Sequence, residues 1–390
     1  METLYLISLI PLAIGGVLFF KNHNIHWVEW LIGTAAALFL SGMTHIITYH
    51  TLTGDTQVIS GYVQSVEFHA EWVEEYKERH ESTSTDSKGN TTTRVWYTTE
   101  HATHPESYYA NLDYGRGRKA CDSISFQKYK ELKGLLGGTT KISGKQSPTH
   151  GGHYDRGDNN IYLTANTTGY IYPVIDHLNF KNKIKASKSM FSYVKIPKEI
   201  NVFEYNLGGI YNPWRLYGTA SKNFDKLTFD RLNTELGPKK KINLIMVGFD
   251  NPDEMIAKYQ EAKWIGGKKN DFVICYYAPD PTKPAQWSYV FGWTDSVLAK
   301  RNVETIMLNH PVNDAILIPI REEIVKNYTI KNWDDFDYIQ VQPPAKAIYW
   351  LICIMLITQI GLYIFFHKND LGQNSNMRNR YGYEKNDWRF

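Results

Sequence analysis

Three apolar stretches constrain this chain more than anything else in it. Residues 3 to 20 (TLYLISLIPLAIGGVLFF), 30 to 48 (WLIGTAAALFLSGMTHIIT) and 347 to 366 (AIYWLICIMLITQIGLYIFF) carry no acidic or basic side chain apart from His45. Each supplies the roughly 17 to 20 residues that a helix needs to cross the hydrocarbon core, and Trp30, Tyr349 and Trp350 stand where interfacial aromatics belong. The sequence therefore predicts three transmembrane helices. The first reads as a retained helix rather than a cleaved leader, because Met1 and Glu2 give no positive flank and no Ala-x-Ala-like site follows. Helices one and two form a hairpin turning at Lys21 to His26.

Orientation follows from Lys and Arg in the short flanks. Lys21 lies in the hairpin turn, and Lys368, Arg378, Arg380, Lys385 and Arg389 lie in the tail after residue 366, so both are expected in the cytoplasm. Three crossings then put residues 51–345 on the extracytoplasmic side of the cell membrane, making this a multi-pass protein. That span holds 36 Lys and Arg against 35 Asp and Glu, so it lacks the basic field that binding to a nucleic acid backbone requires. The bilayer is the first expected partner. Of the three cysteines, Cys353 lies in the third apolar stretch; Cys121 and Cys275 are left in the outer part, either as a disulfide pair or as two separate thiols.

Residues 51–205 read as β-rich. In SGYVQSVEFHAEWVEEY, Tyr62, Val66, Phe68 and Trp72 share one parity, and RVWYTTEHATHPESYYANLDYG resumes the pattern after a polar break. The intervening ERHESTSTDSKGNTTT, residues 78 to 93, reads as a long hydrophilic loop at the tip of a β-hairpin. SFQKYKELKGLLGG, residues 125 to 138, is a short helix stopped at Gly137-Gly138.

Residues 206–335 change character. Phe224, Leu227, Leu232 and Leu236 stand at near-helical spacing before Gly237-Pro238, and KINLIMVGF is a continuous apolar run of buried-strand type. Asn251-Pro252-Asp253-Glu254 opens a helix, with acids at its positive end. KWIGGKKND, residues 263 to 271, ends it and launches the strand FVICYY. The strand WSYVFGW and a helix through AILIPIREEIVKNY follow. This alternation predicts an α/β sandwich with helices on both sheet faces. The expected class is an α+β membrane protein divided into 1–50, 51–205, 206–335, a linker with the third span at 336–366, and a basic tail at 367–390.

Over residues 218–330 the element order and the WIGGKKND junction resemble the TPM domain of thylakoid-lumen and bacterial membrane-anchored proteins. In place of that family's acidic strand-and-turn opening, this chain has YNPWRLYGTASKNF. The resemblance implies a membrane-anchored module and, for Asn270 and Asp271, oxygen ligands to calcium. Phosphatase activity is a further property claimed for some relatives. The same two residues also suit an ordinary turn before a strand.

Candidate chemistry is sparse. Gly266-Gly267-Lys268-Lys269 follows a helix and precedes a strand, the reverse of a phosphate-cradling loop, so the glycines read as a helix stop. HGGHYDRGDNN offers His150, His153, Asp155 and Asp158 as ligands for zinc or another divalent ion; solvated turn residues are the competing reading. His101 and His104 of HATH face opposite sides if the segment is a strand. Arg156-Gly157-Asp158 is a tripeptide that recurs by chance. Neither G-x-S-x-G nor H-E-x-x-H is present. Two functions compete on this basis. One is a non-enzymatic anchored module that binds or assembles another membrane or envelope protein, suggested by 27 Tyr and 11 Trp. The alternative is a metal-dependent hydrolase or phosphatase-like enzyme using the His150 to Asp158 loop.

Overall fold

A computed structural model describes residues 2–22, 27–142, 144–187, 191 and 194–369. They form two compact units, one of Met1–Asp55, Asn179–Lys195 and Asn332–Phe390, the other of Thr56–Leu178 and Ile196–Lys331. The expected hairpin turn falls partly, and the tail after residue 369 wholly, outside the described residues.

The first unit is built on helices Thr3–Asn22, Trp27–Thr53 and Ala345–Asn369. Two segments, Trp27–Thr53 and Ala345–Phe366, are long and apolar enough to cross a membrane; in the first helix the described apolar run is the shorter Thr3–Ile14. Leu4, Ala37, Leu351 and Met355 make the buried contact among the three helices, while side chains such as Phe39 and Ile357 stay exposed. The polar groups in these helices are used in packing. Gln359 Nε2 donates to Gly33 O at 2.9 Å, and a Cβ at Gly33 would sit 3.1 Å from the same amide. Trp30 Nε1 donates to Leu12 O at 3.0 Å, and His45 Nδ1 lies 2.9 Å from Tyr5 Oη. Small residues that admit a neighbouring helix, with hydrogen bonds across the gap, are how apolar helices associate where burial in water cannot drive them.

The second unit holds the sheets. In the largest, Gly54–His69 lies between Ser107–Asp113 and Ile161–Ala165 and also pairs with Pro173–Lys181; Lys119–Ser123 and Thr139–Lys141 lie outermost. Helix Phe126–Leu136 covers one face, burying Tyr129 and Leu132 against Val63, Val66 and Tyr108. It starts where Ser125 accepts the Lys128 amide at 3.2 Å and stops at Gly137, whose φ is 137°, as the spacing predicted.

A second sheet has three strands, Thr91–His104, Trp72–Thr85 and His153–Gly157, in that order. Here the predicted loop over 78–93 is corrected, because both strands run through it and only Asp86 to Asn90 turn. Thr83 and Thr85 stand opposite Thr93 and Thr91, so a polar stretch rich in β-branched residues keeps pairing as a two-stranded ribbon. The Asp86 carboxylate closes the turn by accepting the Lys88 and Asn90 amides, each at 2.9 Å.

The third sheet has the order Leu216–Gly218, Asn243–Phe249, Asp271–Tyr277, Trp287–Gly292; the first three are parallel and the last antiparallel. Helices Lys226–Lys240, Val297–Asn309 and Leu317–Asn327 pack on one face through Phe229, Leu236, Val303 and Ile320. Helix Met255–Lys263 and the segment Ile200 to Tyr205 cover the other, around Ile245, Val273 and Trp264. Continuous apolar strands are what a sheet buried on both faces requires. The helix expected to end at Gly237-Pro238 instead runs on to Lys240 and is closed by Lys241 at φ 56°, whose amide reaches Gly237 O at 2.7 Å. The WIGGKKND junction stops its helix as predicted, but the left-handed backbone begins one residue early: Ile265, Gly266 and Gly267 have φ of 55°, 76° and 86°. Cys121 and Cys275 are free thiols, the first exposed and the second buried between sheet and helix, where desolvation raises its pKa.

Candidate functional site on the three-stranded sheet

Strand pairing decides which polar groups of this sheet meet. Successive residues of Trp72–Thr85 alternate between its two faces, so Glu74, Tyr76, Glu78 and His80 project from one and Glu75 from the other. Glu75 stands opposite both His101 and His153 in the two neighbouring strands. The strand His153–Gly157 carries an irregularity: Glu74 pairs with Tyr154 and Val73 with Arg156, leaving Asp155 as an extra residue. Such a bulge re-aims a side chain, and Asp155 Oδ2 comes to 3.3 Å from His101 Nδ1 on the far strand. The ligand-type atoms of Glu75, His101 and Asp155 all lie within 4.8 Å of one another. His153 Nε2 is 3.6 Å from Glu75 Oε1.

The opposite face is organised by Glu74, whose side chain is wholly buried. It accepts the amides of Thr149, His150 and Gly152 and faces His104 Nε2 at 2.9 Å. Burial alone would raise its pKa. The hydrogen bonds from Gly152, His104, Thr149 and His150 outweigh that and hold it well below the usual carboxylate range. The ring of His104 stacks on Trp72 and that of His150 on Tyr76, with centroids 4.3 and 4.2 Å apart. Glu78, His80 and Glu100 form a further cluster on this face, in which His80 is already engaged with Thr98 Oγ1 at 2.7 Å and stacked on Trp96.

The predicted ligand set His150, His153, Asp155 and Asp158 is therefore not brought together. His150 goes to the Glu74 face and His153 and Asp155 to the Glu75 face, while Asp158 accepts from the Tyr162 hydroxyl. The reason is local: only His153 and Asp155 lie in the strand His153–Gly157, where they share the Glu75 side, whereas His150 precedes it in the segment whose amides bind Glu74 and Asp158 lies beyond its end. His101 and His104 do separate as their spacing implies. Gly157, the middle of the Arg-Gly-Asp tripeptide, has φ 91°, and a Cβ there would lie 2.7 Å from Glu71 O; this glycine answers a close backbone approach. Glu74, Glu75, Glu78 and His80 escaped the sequence reading. They stand in a charged run whose cross-strand partners in Thr91–His104 lie 16 to 28 residues away, from His80 opposite Trp96 to Glu74 opposite Ala102.

Asn270 and Asp271, the implied calcium ligands, lie inside the protein instead. Asp271 is 1% exposed, and it accepts from Asn243 Nδ2 and from the Lys268 amide, both at 2.8 Å. Asn270 Nδ2 donates to Val58 O at 2.6 Å. Desolvation raises the Asp271 pKa. Asn243 continues the network to Arg215, which donates to Asn243 Oδ1 at 2.9 Å, Asp230 at 3.2 Å and Ser60 Oγ at 2.7 Å. This polar core ties strand Gly54–His69 to the α/β sheet; both Asp271 oxygens are engaged by protein donors, while the buried Asn270 Oδ1 has no hydrogen-bond partner among the described residues.

Compared with protein-family models, curated proteins and solved structures, the chain matches none.

Proposed function

We propose that this chain is a multi-pass membrane protein, held by three helices, that presents residues 51–345 outside the cytoplasm as a non-enzymatic module binding or assembling another membrane or envelope protein. Residues 218–330 are the TPM-like part of that module. The anchor is supported by the two long apolar helices and by the first helix packing against both through Leu4, Ala37 and Leu351. The observation that carries the binding role is the outer strand Thr91–His104. It ends the order of its sheet, extends over 14 residues, and exposes Val95, Trp96 and Tyr97 in succession. A long edge strand with unpaired backbone groups and large apolar side chains invites strand addition by another chain, and aromatic residues make effective interface anchors.

The test places a photo-crosslinking residue at Tyr97 of the full chain in its native membrane, with the same residue at Lys130, exposed on helix Phe126–Leu136, as a control. A discrete protein adduct from position 97, weakened by Val95→Lys, is the expected outcome. Equal labelling from both positions would overturn the assignment of the edge strand.

A further inference from the structure

We propose that Glu75, His101 and Asp155 bind a divalent transition-metal ion of the zinc class, with His153 as a fourth donor. The three strands of the hairpin sheet each contribute to this set, and the bulge at Asp155 brings the last carboxylate over the central strand. The spacing is the main argument. Charge-assisted hydrogen bonds between a nitrogen and a carboxylate close to about 2.7–2.9 Å, yet His101 to Asp155 stands at 3.3 Å and His153 to Glu75 at 3.6 Å. Donors at about 2.1 Å from a tetrahedral ion are themselves separated by about 3.4 Å. Both spacings are compatible with edges of such a shell, and the ligand-type atoms of Glu75, His101 and Asp155 converge within 4.8 Å of one another.

The donor types select the ion. Imidazole nitrogen with carboxylate oxygen suits zinc and its neighbours, while calcium asks for six to eight oxygens, roughly twice what this set offers. Two carboxylates offset the charge of a divalent cation, and neutral histidines supply the rest. The partial exposure of all four side chains leaves the set accessible to an incoming ion. The ion would clamp the outer strand to the His153–Gly157 strand across the central one. The cluster on the opposite face, Glu78, His80 and Glu100, is drawn from two strands only and has its histidine engaged by Thr98, which makes it the internal control.

The experiment uses the full chain in detergent, stripped with a chelator and dialysed against Zn2+, with Co2+ as a spectroscopic substitute that reports tetrahedral nitrogen and oxygen ligation. One equivalent is expected to bind. Glu75→Gln, His101→Asn and Asp155→Asn should each weaken binding by about tenfold or more, whereas Glu78→Gln and His80→Asn should leave it unchanged. Melting temperatures measured without metal identify any variant that fails to fold, and the remaining variants of the trio then carry the comparison. Absence of stoichiometric binding, unchanged affinity in folded variants of the trio, or equal loss in the Glu78 and His80 variants would each overturn the site.

Discussion

His104 Nε2 lies 2.9 Å from one oxygen of the buried Glu74 carboxylate, while the other oxygen accepts the amides of His150 and Gly152, each at 2.9 Å. One side chain thereby fastens the segment 149–152 to the hairpin. Its pKa is depressed in the folded protein, so its stabilising effect is present above the unfolded carboxylate value of roughly 4.3 and is lost as pH falls below it. Glu74→Gln should lower the melting temperature at pH 7, and the gap to the wild type should narrow below about pH 4. Thermal unfolding of both proteins across pH checks this; a gap independent of pH would show that charge is not what anchors the segment. Glu235, held down to about 2 by Arg321, contributes acid sensitivity of the same sign.

The WIGGKKND junction makes a conformational prediction. Gly267 sits at φ 86°, and a Cβ there would lie 3.2 Å from the Asp271 Cβ, so Gly267→Ala should cost on the order of 1 kcal/mol. Trp264 is buried against Tyr205, Tyr217 and Phe291, and Trp264→Ala should cost about 3–5 kcal/mol. Urea denaturation of the two variants gives both numbers. A larger loss at Gly267 than at Trp264 would contradict this division of roles.

The Arg215 network predicts an asymmetry. Arg215→Ala removes the donor to the buried Asn243 Oδ1 and one of the two cations on the buried Asp230, leaving Lys226 Nζ at 2.6 Å, and should cost about 3 kcal/mol, more than removing the charges together in an Arg215→Met, Asp230→Leu double variant. Equilibrium unfolding of the single and double variants decides it. Equal losses would mean that the ion pair is not held by its burial.

Topology is tested with cysteines placed in a background lacking Cys121 and Cys353. A membrane-impermeant thiol reagent should label Ser87→Cys in intact cells, and should label Asn376→Cys only after the membrane is opened. The reverse pattern would invert the proposed orientation.

Much of the second unit was legible residue by residue. The helix at Phe126–Leu136 follows from Ser125, the apolar spacing and Gly137, because caps and periodicity act within a few residues. Strands Asn243–Phe249 and Asp271–Tyr277 follow from unbroken apolar runs. The hairpin was legible as a hairpin, but its length was not: residues 78 to 85 read as loop by polarity, yet they pair as strand, with the β-branched Thr83 and Thr85 opposite Thr93 and Thr91. Ile265 in the left-handed region was hidden as well, because two adjacent glycines offered the easier place for it.

By itself, the sequence determined where the apolar helices lie, that an α/β sheet follows a β-rich part, and that the glycine pair stops a helix, since each depends on local hydrophobic period or backbone freedom. Only the tertiary structure decided which polar residues meet. Glu75 and His101 are 26 positions apart and reach Asp155 through a one-residue bulge, and Asp271 is drawn inward by Asn243. A shift of one residue in pairing register would send every one of these side chains to the opposite face. Register is set by the packing of the whole sheet, so no short stretch of the chain encodes it.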